Sequence, residues 1–188
     1  MDDIVKAALK KWPNVPHCHG WLALDARGDW YMRDERVQAA GPFPQVKGSR
    51  IRHDKLLAFI ERNYAADENG AWYFQNGPQR VYVELEACPW VWRLSALPGA
   101  APQLLSHTGR PAQATAAWVD ERGWLYLQTD LGLGLVHSLD MEAASDAIEA
   151  GLWPLHETTS VALPTRFGFQ RRPQPPGQAA PAATVKDS

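Results

Sequence analysis

The sequence predicts an α+β domain made mainly of antiparallel hairpins, with one helix per half, arranged as two divergent hairpin-plus-helix pseudo-repeats. Three observations predict it. Short alternating runs bounded by Gly, Asn and Asp begin at Trp21 and read as hairpin strands. Three of the turns between them share one local pattern. Two other stretches carry apolar residues at helical spacing, one in each half. With 188 residues, the chain suits one domain with a real core, since domains commonly run about 100–200 residues.

Residues 1–19 read as an N-terminal helix and loop. Asp2 or Asp3 can cap a helix whose Ile4, Val5, Ala8, Leu9 and Trp12 form a face for docking on the domain, and Pro13 ends it. The first lobe, residues 20–97, holds a helix over 51–64 with Asp54 placed as its cap. Strands follow near 71–75, 80–86 and 91–97, the first two joined through Asn76-Gly77. A Pro/Gly-rich break at 97–102 opens the second lobe, residues 98–169. Its strands lie near 103–107, 114–120, 124–129 and 135–139, before a helix that starts at Asp140 and stops at Gly151. Residues 170–188 are rich in Pro and Ala and too poor in large apolar groups to offset their ordering entropy, which predicts a disordered tail.

The shared turns are Asp25-Ala-Arg-Gly28, Asp67-Glu-Asn-Gly70 and Asp120-Glu-Arg-Gly123, each opening an aromatic strand. Asp can accept hydrogen bonds from the backbone just ahead of it, and Gly takes the positive φ that closes the turn. This local cause accounts for the three acids without any catalytic role.

A net charge of −2 and a pI of about 6.3 give no broad cationic field, so nucleic acid is not an expected partner. No apolar run approaches the roughly 20 residues that span a bilayer, and the N-terminus lacks the pattern of a signal peptide. A cytoplasmic protein without a membrane partner is expected. Cys18 and Cys88 are too few for a disulfide scaffold and read as reduced thiols. Nothing in the sequence implies a cofactor.

Nine tryptophans are the unusual feature. Trp90 and Trp92 project to one face of a strand, as do Trp124 and Tyr126, because strand side chains alternate. Two facing stripes make a core, and one open stripe makes a groove for a ring, a sugar or a peptide. The binding-site candidate is a groove of Trp90, Trp92, Trp124 and Tyr126 with Arg93 and His137 at its rim.

His17-Cys18-His19 is the sharpest local cluster. His17 and His19 could share a zinc or copper ion, whereas Cys18 points to the opposite face of an extended strand. Further ligands would have to come from afar, with His53, Cys88 and His107 as candidates, and the bland alternative is a structured loop. Cys18 between two histidines, or Cys88 near Glu86, can also be drawn as a thiol nucleophile, against the commoner role of Cys as a small core residue. Thr129-Asp-Leu-Gly132-Leu-Gly134 lacks the third glycine of a dinucleotide loop and the Lys of a P-loop, so a glycine-rich hairpin turn explains it better.

The order of several of these pieces resembles the bacterial family catalogued as domain of unknown function 1285, or a sister of it. They are Gly28-Asp-Trp30, Ile51-Arg52 leading into the Leu56/Phe59 helix, Asn69-Gly70-Ala-Trp72-Tyr73, Val83-Glu-Leu-Glu-Ala-Cys-Pro-Trp90 and Leu125-Tyr-Leu-Gln-Thr-Asp-Leu-Gly132. The resemblance spans roughly residues 20–155. It implies a two-lobed α+β fold and a part in signal sensing or ligand binding, and it brings no catalytic residues with it. The expected function is therefore a non-enzymatic small-ligand-binding or regulatory domain. The alternatives are a metal-dependent or thiol enzyme using His17, Cys18 and His19, and a structural module that binds a protein partner.

Overall fold

Every strand between residues 18 and 85 joins one six-stranded sheet, and every strand from 90 to 157 joins a second sheet of seven. The structure, a computed structural model, describes residues 1–97, 100–175 and 177. The first sheet contains β1 (Cys18–Leu24), β2 (Trp30–Met32), β3 (Ser49–Arg50), β4 (Tyr64–Ala66), β5 (Trp72–Asn76) and β6 (Gln79–Leu85) in the order β3-β2-β1-β6-β5-β4. The second contains β7 (Trp90–Leu97), β8 (Ala100–Ser106), β9 (Pro111–Ala112), β10 (Ala114–Val119), β11 (Leu125–Thr129), β12 (Gly132–Val136) and β13 (Leu155–Glu157), ordered β13-β10-β11-β12-β7-β8-β9. The α+β class read from the sequence is the class observed.

The pseudo-repeat exists in the strand connectivity. In each sheet a first three-strand meander runs outward, a second returns inward, and the first strand lies parallel to the last: β1 beside β6, and β7 beside β12. The helices do not repeat with the strands. α1 (Asp3–Lys11) precedes the first sheet, while α2 (Glu35–Ala40) and α3 (Asp54–Arg62) interrupt it; α4 (Met141–Glu149) and α5 (Leu163–Phe167) follow the second pair of meanders.

Residues 91–97 were expected in the first lobe, and the structure pairs them with β8 and β12 in the second sheet. The chain changes sheets at residues 86–89. Glu86 N still donates to Leu24 O, whereas Pro89 O already accepts from Tyr64 Oη inside the core. β7 and β8 meet as an antiparallel pair, with Leu97 opposite Ala100, so the 97–102 stretch joins strands of one sheet.

Local chemistry explains several ends. His53, not Asp54, caps α3, its Nδ1 accepting from Leu56 N. Asp2 holds the N-cap position of α1, but its carboxylate turns to Arg62 and Asn63. Val5 buries that helix on the domain, while Ile4 and Trp12, read from spacing as part of the docked face, are exposed. Residues 170–172, expected within the disordered tail, are bonded to the domain: Gln170 N donates to Gly70 O, Leu85 N donates to Arg171 O, and the Arg171 and Arg172 guanidinium groups donate to Ala87 O and Phe43 O. Residues 176 and 178–188, where the rest of that tail falls, lie outside the described residues.

The three Asp turns form as their spacing predicts. Each Asp Oδ1 accepts from the backbone N–H two and four residues ahead, at 2.9 or 3.0 Å, and Gly28, Gly70 and Gly123 take φ of 84°, 74° and 75°. The Thr129–Gly132 stretch is likewise a tight hairpin turn between β11 and β12. One apolar core, containing Leu24, Trp30, Val83, Trp92, Leu127 and Leu135 among others, is shared by both sheets.

Candidate functional site

Alternation in β6 sends Gln79, Val81, Val83 and Leu85 to the face covered by α3, and Arg80, Tyr82 and Glu84 to the other. α3 lays Leu56, Phe59 and Ile60 over the first of these faces. The helix does not close on the strands everywhere. A cavity of about 430 Å³ remains, walled by those three residues and by Trp21, Leu22, Met32, Ile51, Phe74 and Val81. Its mouth carries two large exposed apolar side chains, Trp21 at 40% and Met32 at 48%.

The polar part of the wall is confined to Asn76, Gln79 and Cys18. Asn76 and Gln79 are register partners at the end of the β5–β6 hairpin, and Cys18 sits opposite Val81. Gln79 Nε2 is already committed to Pro16 O at 2.8 Å. Among the described residues no Asp, Glu, Lys, Arg or His side chain lines this cavity. Such a site can hold an apolar body and hydrogen-bond one neutral end.

The aromatic stripes chosen from the sequence went elsewhere. Trp90, Trp92 and Tyr126 are 2%, 0% and 0% exposed. Trp90 and Trp92 are core residues because the first sheet's aromatics cover their stripe: Tyr64 and Trp72 pack edge-on against Trp90, and Trp90 stacks on Trp92; Tyr126 shares the opposite face with Leu135 and Val91, and its Oη donates to Asp120. Trp124 stays half-buried beneath the Arg122 guanidinium and borders a smaller cavity of about 290 Å³. Arg93 and His137 border a charged cavity of about 630 Å³ with Asp25, Arg27, Lys47 and Arg50. Arg93 is held by Asp140 at 2.5 Å, and His137 Nδ1 accepts from Leu139 N to cap the turn at Ser138–Asp140. The six residues therefore form no common groove.

His17 and His19 share a neighbour, Tyr82. His19 stacks on the Tyr82 ring at 4.5 Å and His17 meets it edge-on at 6.0 Å, while His17 Nδ1 accepts from Arg80 N. Burial holds both imidazoles below their ordinary pKa, helped by Arg80 at His17 and by His17 at His19. Among the described residues no three His, Cys, Asp or Glu side chains group as a cation would require. The two histidines and Tyr82 border a further cavity of about 850 Å³ on the opposite face of the sheet, next to Pro173–Pro175.

The two thiols differ sharply. Burial pushes the Cys88 thiol up to about 12, against the opposing effect of its contact with Trp90 O, which suits a core residue and not a nucleophile. Cys18 is half-buried at the border of two cavities. In native protein, one equivalent of thiol is expected to react promptly with a disulfide reagent, and the second only after denaturation. Mass mapping of the labelled peptide checks this, and early labelling of Cys88 would contradict the buried assignment.

Sequence reasoning missed the α3 cavity because its wall is gathered from residues 18–22, 32, 51–60 and 74–81, with no local motif. The alternation of β6 and the helical spacing of 56, 59 and 60 identify the two facing surfaces. They do not reveal that the surfaces fail to meet.

Comparison with known proteins places this architecture. A family model, DUF2944, described as "Protein of unknown function (DUF2946)", matches residues 1–174. No curated protein matches significantly. A DUF1285 family protein from Silicibacter pomeroyi DSS-3 is similar in structure, with a TM-score of 0.47 and 14% identity over 78% of this chain and 84% of that one. A second, from Shewanella baltica OS155, gives 0.44 and 13% over 67% of this chain and 91% of that one. Both are proteins of the family whose motif order the sequence resembles.

Proposed function

We propose that this chain, which belongs to the family DUF2944 of proteins of unknown function, is a non-enzymatic domain that binds a small molecule in the cavity beneath α3. The observation that carries the reading is an apolar volume of about 430 Å³ with a short polar end, within the roughly 300–1,000 Å³ typical of ligand pockets. The exposed Trp21 and Met32 support it, since both line the cavity and carry its apolar surface out to solvent as one continuous patch. The signalling role expected from the sequence then takes a concrete form. A ligand bridging α3 to β1 and β6 would tie the helix to the sheet, and α3 in turn holds the N-terminus through the Arg62–Asp2 ion pair.

The thiol reading is weakened by the buried, raised Cys88. The metal reading is weakened by the absence of a third ligand beside His17 and His19 among the described residues.

Titration with the uncharged fluorophore N-phenyl-1-naphthylamine tests the proposal. Saturable enhancement of its emission is expected, and a ligand at 100 times its Kd should stabilise the fold by about 2.7 kcal/mol. Val81→Phe, which fills the cavity, should abolish both effects while leaving the far-UV circular dichroism unchanged. Equal binding by the folded variant would place the fluorophore elsewhere and sink the assignment.

A further inference from the structure

The wall of the α3 cavity also specifies the chemistry of what enters it; this step rests on the ligand-binding reading above. We infer that the ligand is an uncharged amphipathic molecule, with an aliphatic or aromatic body and a single hydroxyl- or amide-like head seated at the β5–β6 hairpin end.

Three observations lead there. First, among the described residues the lining contains no carboxylate, ammonium, guanidinium or imidazole, whereas each of the other three cavities described above includes a charged or imidazole side chain. A carboxylate or ammonium drawn into the apolar volume would lose its hydration without a counter-ion to replace it. The protein thus disfavours charged ligands through what the wall lacks.

Second, the polar groups are segregated. The register places Asn76 directly opposite Gln79 at the hairpin end, while Leu22, Phe74 and Val81 lie further along the strands under Leu56, Phe59 and Ile60. This layout gives the ligand a direction, body under the helix and head at the hairpin.

Third, the amides are matched to a neutral head that both donates and accepts. Gln79 spends Nε2 on Pro16 O, and among the described residues its Oε1 receives no hydrogen bond, nor does the Asn76 side chain make one. A hydroxyl can donate to Gln79 Oε1 and accept from Asn76 Nδ2 at once. A carboxylate can only accept and an ammonium can only donate.

Volume sets the size. At about 30 Å³ for each non-hydrogen group, the share of one water in the liquid, the cavity holds on the order of ten to fifteen such groups.

The experiment is displacement of N-phenyl-1-naphthylamine from the full chain at pH 7.5 by 1-octanol, octanoate and octylammonium, which share a chain length and differ in head charge. Octanol is expected to displace the fluorophore at a concentration at least tenfold lower than either ion. Asn76→Leu should weaken octanol several-fold more than it changes the affinity of the fluorophore. Val81→Phe, or Leu56→Trp if the first variant does not fold, should remove binding of fluorophore and octanol together. Equal displacement by octanoate or octylammonium would overturn the uncharged class while leaving the cavity as the binding site. An unaltered octanol response in Asn76→Leu would overturn the placement of the head. Failure of the fluorophore to bind the native chain at all would instead remove the ligand-binding reading on which this inference stands.

Discussion

Gly134→Ala is expected to lower the stability of the second sheet's core by about 3 kcal/mol, the upper end of the usual overpacking range. A Cβ built on Gly134 would lie 2.2 Å from Nε1 and 2.4 Å from Cε2 of Trp92. Neither partner has room to yield. Trp92 is fully buried, its Nε1 donates to Leu127 O, and its ring stacks on Trp90; Gly134 itself is fixed in β12 opposite Leu127 and beside Trp90. For a chain of this length that loss corresponds to a fall in Tm of about 6–12 °C. Gly123→Ala is the informative control, since its added methyl meets nothing and only the positive φ is strained. Thermal unfolding should separate the two clearly. A Gly134 variant no worse than the Gly123 variant would mean that the indole does not pack against this strand.

Acidification is expected to destabilise the fold through His107. Its Nε2 is sealed from solvent without a partner, and its ring is packed among Trp30, Tyr64 and Trp90. Its Nδ1 accepts from Val91 N, which requires the neutral ring. Burial pushes its pKa down to about 3 from an ordinary 6.5. Because the folded value is the lower one, the unfolded chain binds the proton first. The contribution is therefore complete above pH 6.5 and declines as pH falls toward 3, by up to about 1.4 kcal/mol per pH unit. Denaturant midpoints measured between pH 7.5 and 4 should show this slope. His107→Asn, whose Oδ1 can still accept from Val91 N, should flatten it. An unchanged slope in that variant would assign the acid sensitivity to the carboxylates. Asp25 and Asp120 contribute in the same direction: burial raises both carboxyls, but Lys47 at Asp25, Arg122 at Asp120 and backbone N–H donors outweigh it and hold them below the usual range.

What could be read from the sequence was what short-range chemistry decides. Asp25, Asp67 and Asp120 declare their turns because carboxylate, backbone N–H and glycine all lie within five residues. The same turn at Ser106–Gly109 escaped notice because a hydroxyl replaces the carboxylate; Ser106 Oγ accepts from Arg110 N, and Gly109 has a φ of 74°. α3 and α4 were legible from spacing. The short α2, α5 and β13 were not, since three to six residues hold too little period to register.

The candidate site failed for a different reason. Trp90 and Trp92 carry the same alternation whether or not another sheet lies over them, and it was Tyr64 and Trp72, from a different sheet, that decided the matter. The cavity beneath α3 depends on how closely a helix and a sheet approach. That distance is a property of the assembled layers.

The parallel seams of the two sheets bear on how the chain comes to fold. In each, the central ladder joins the first strand made to the last of its six-strand set, so that Leu24 waits for Leu85 and Val91 waits for Leu135. The outer meanders can close as soon as they leave the ribosome, but neither sheet acquires its middle until the sixth strand of its set has been synthesised. Loop closure of that span comes before the reward of the seam's hydrogen bonds, which favours slow, late consolidation. Until then β1 and β7 each expose an edge open to pairing with another chain. During synthesis the first sheet can mature before the second, because its seam is complete at residue 85.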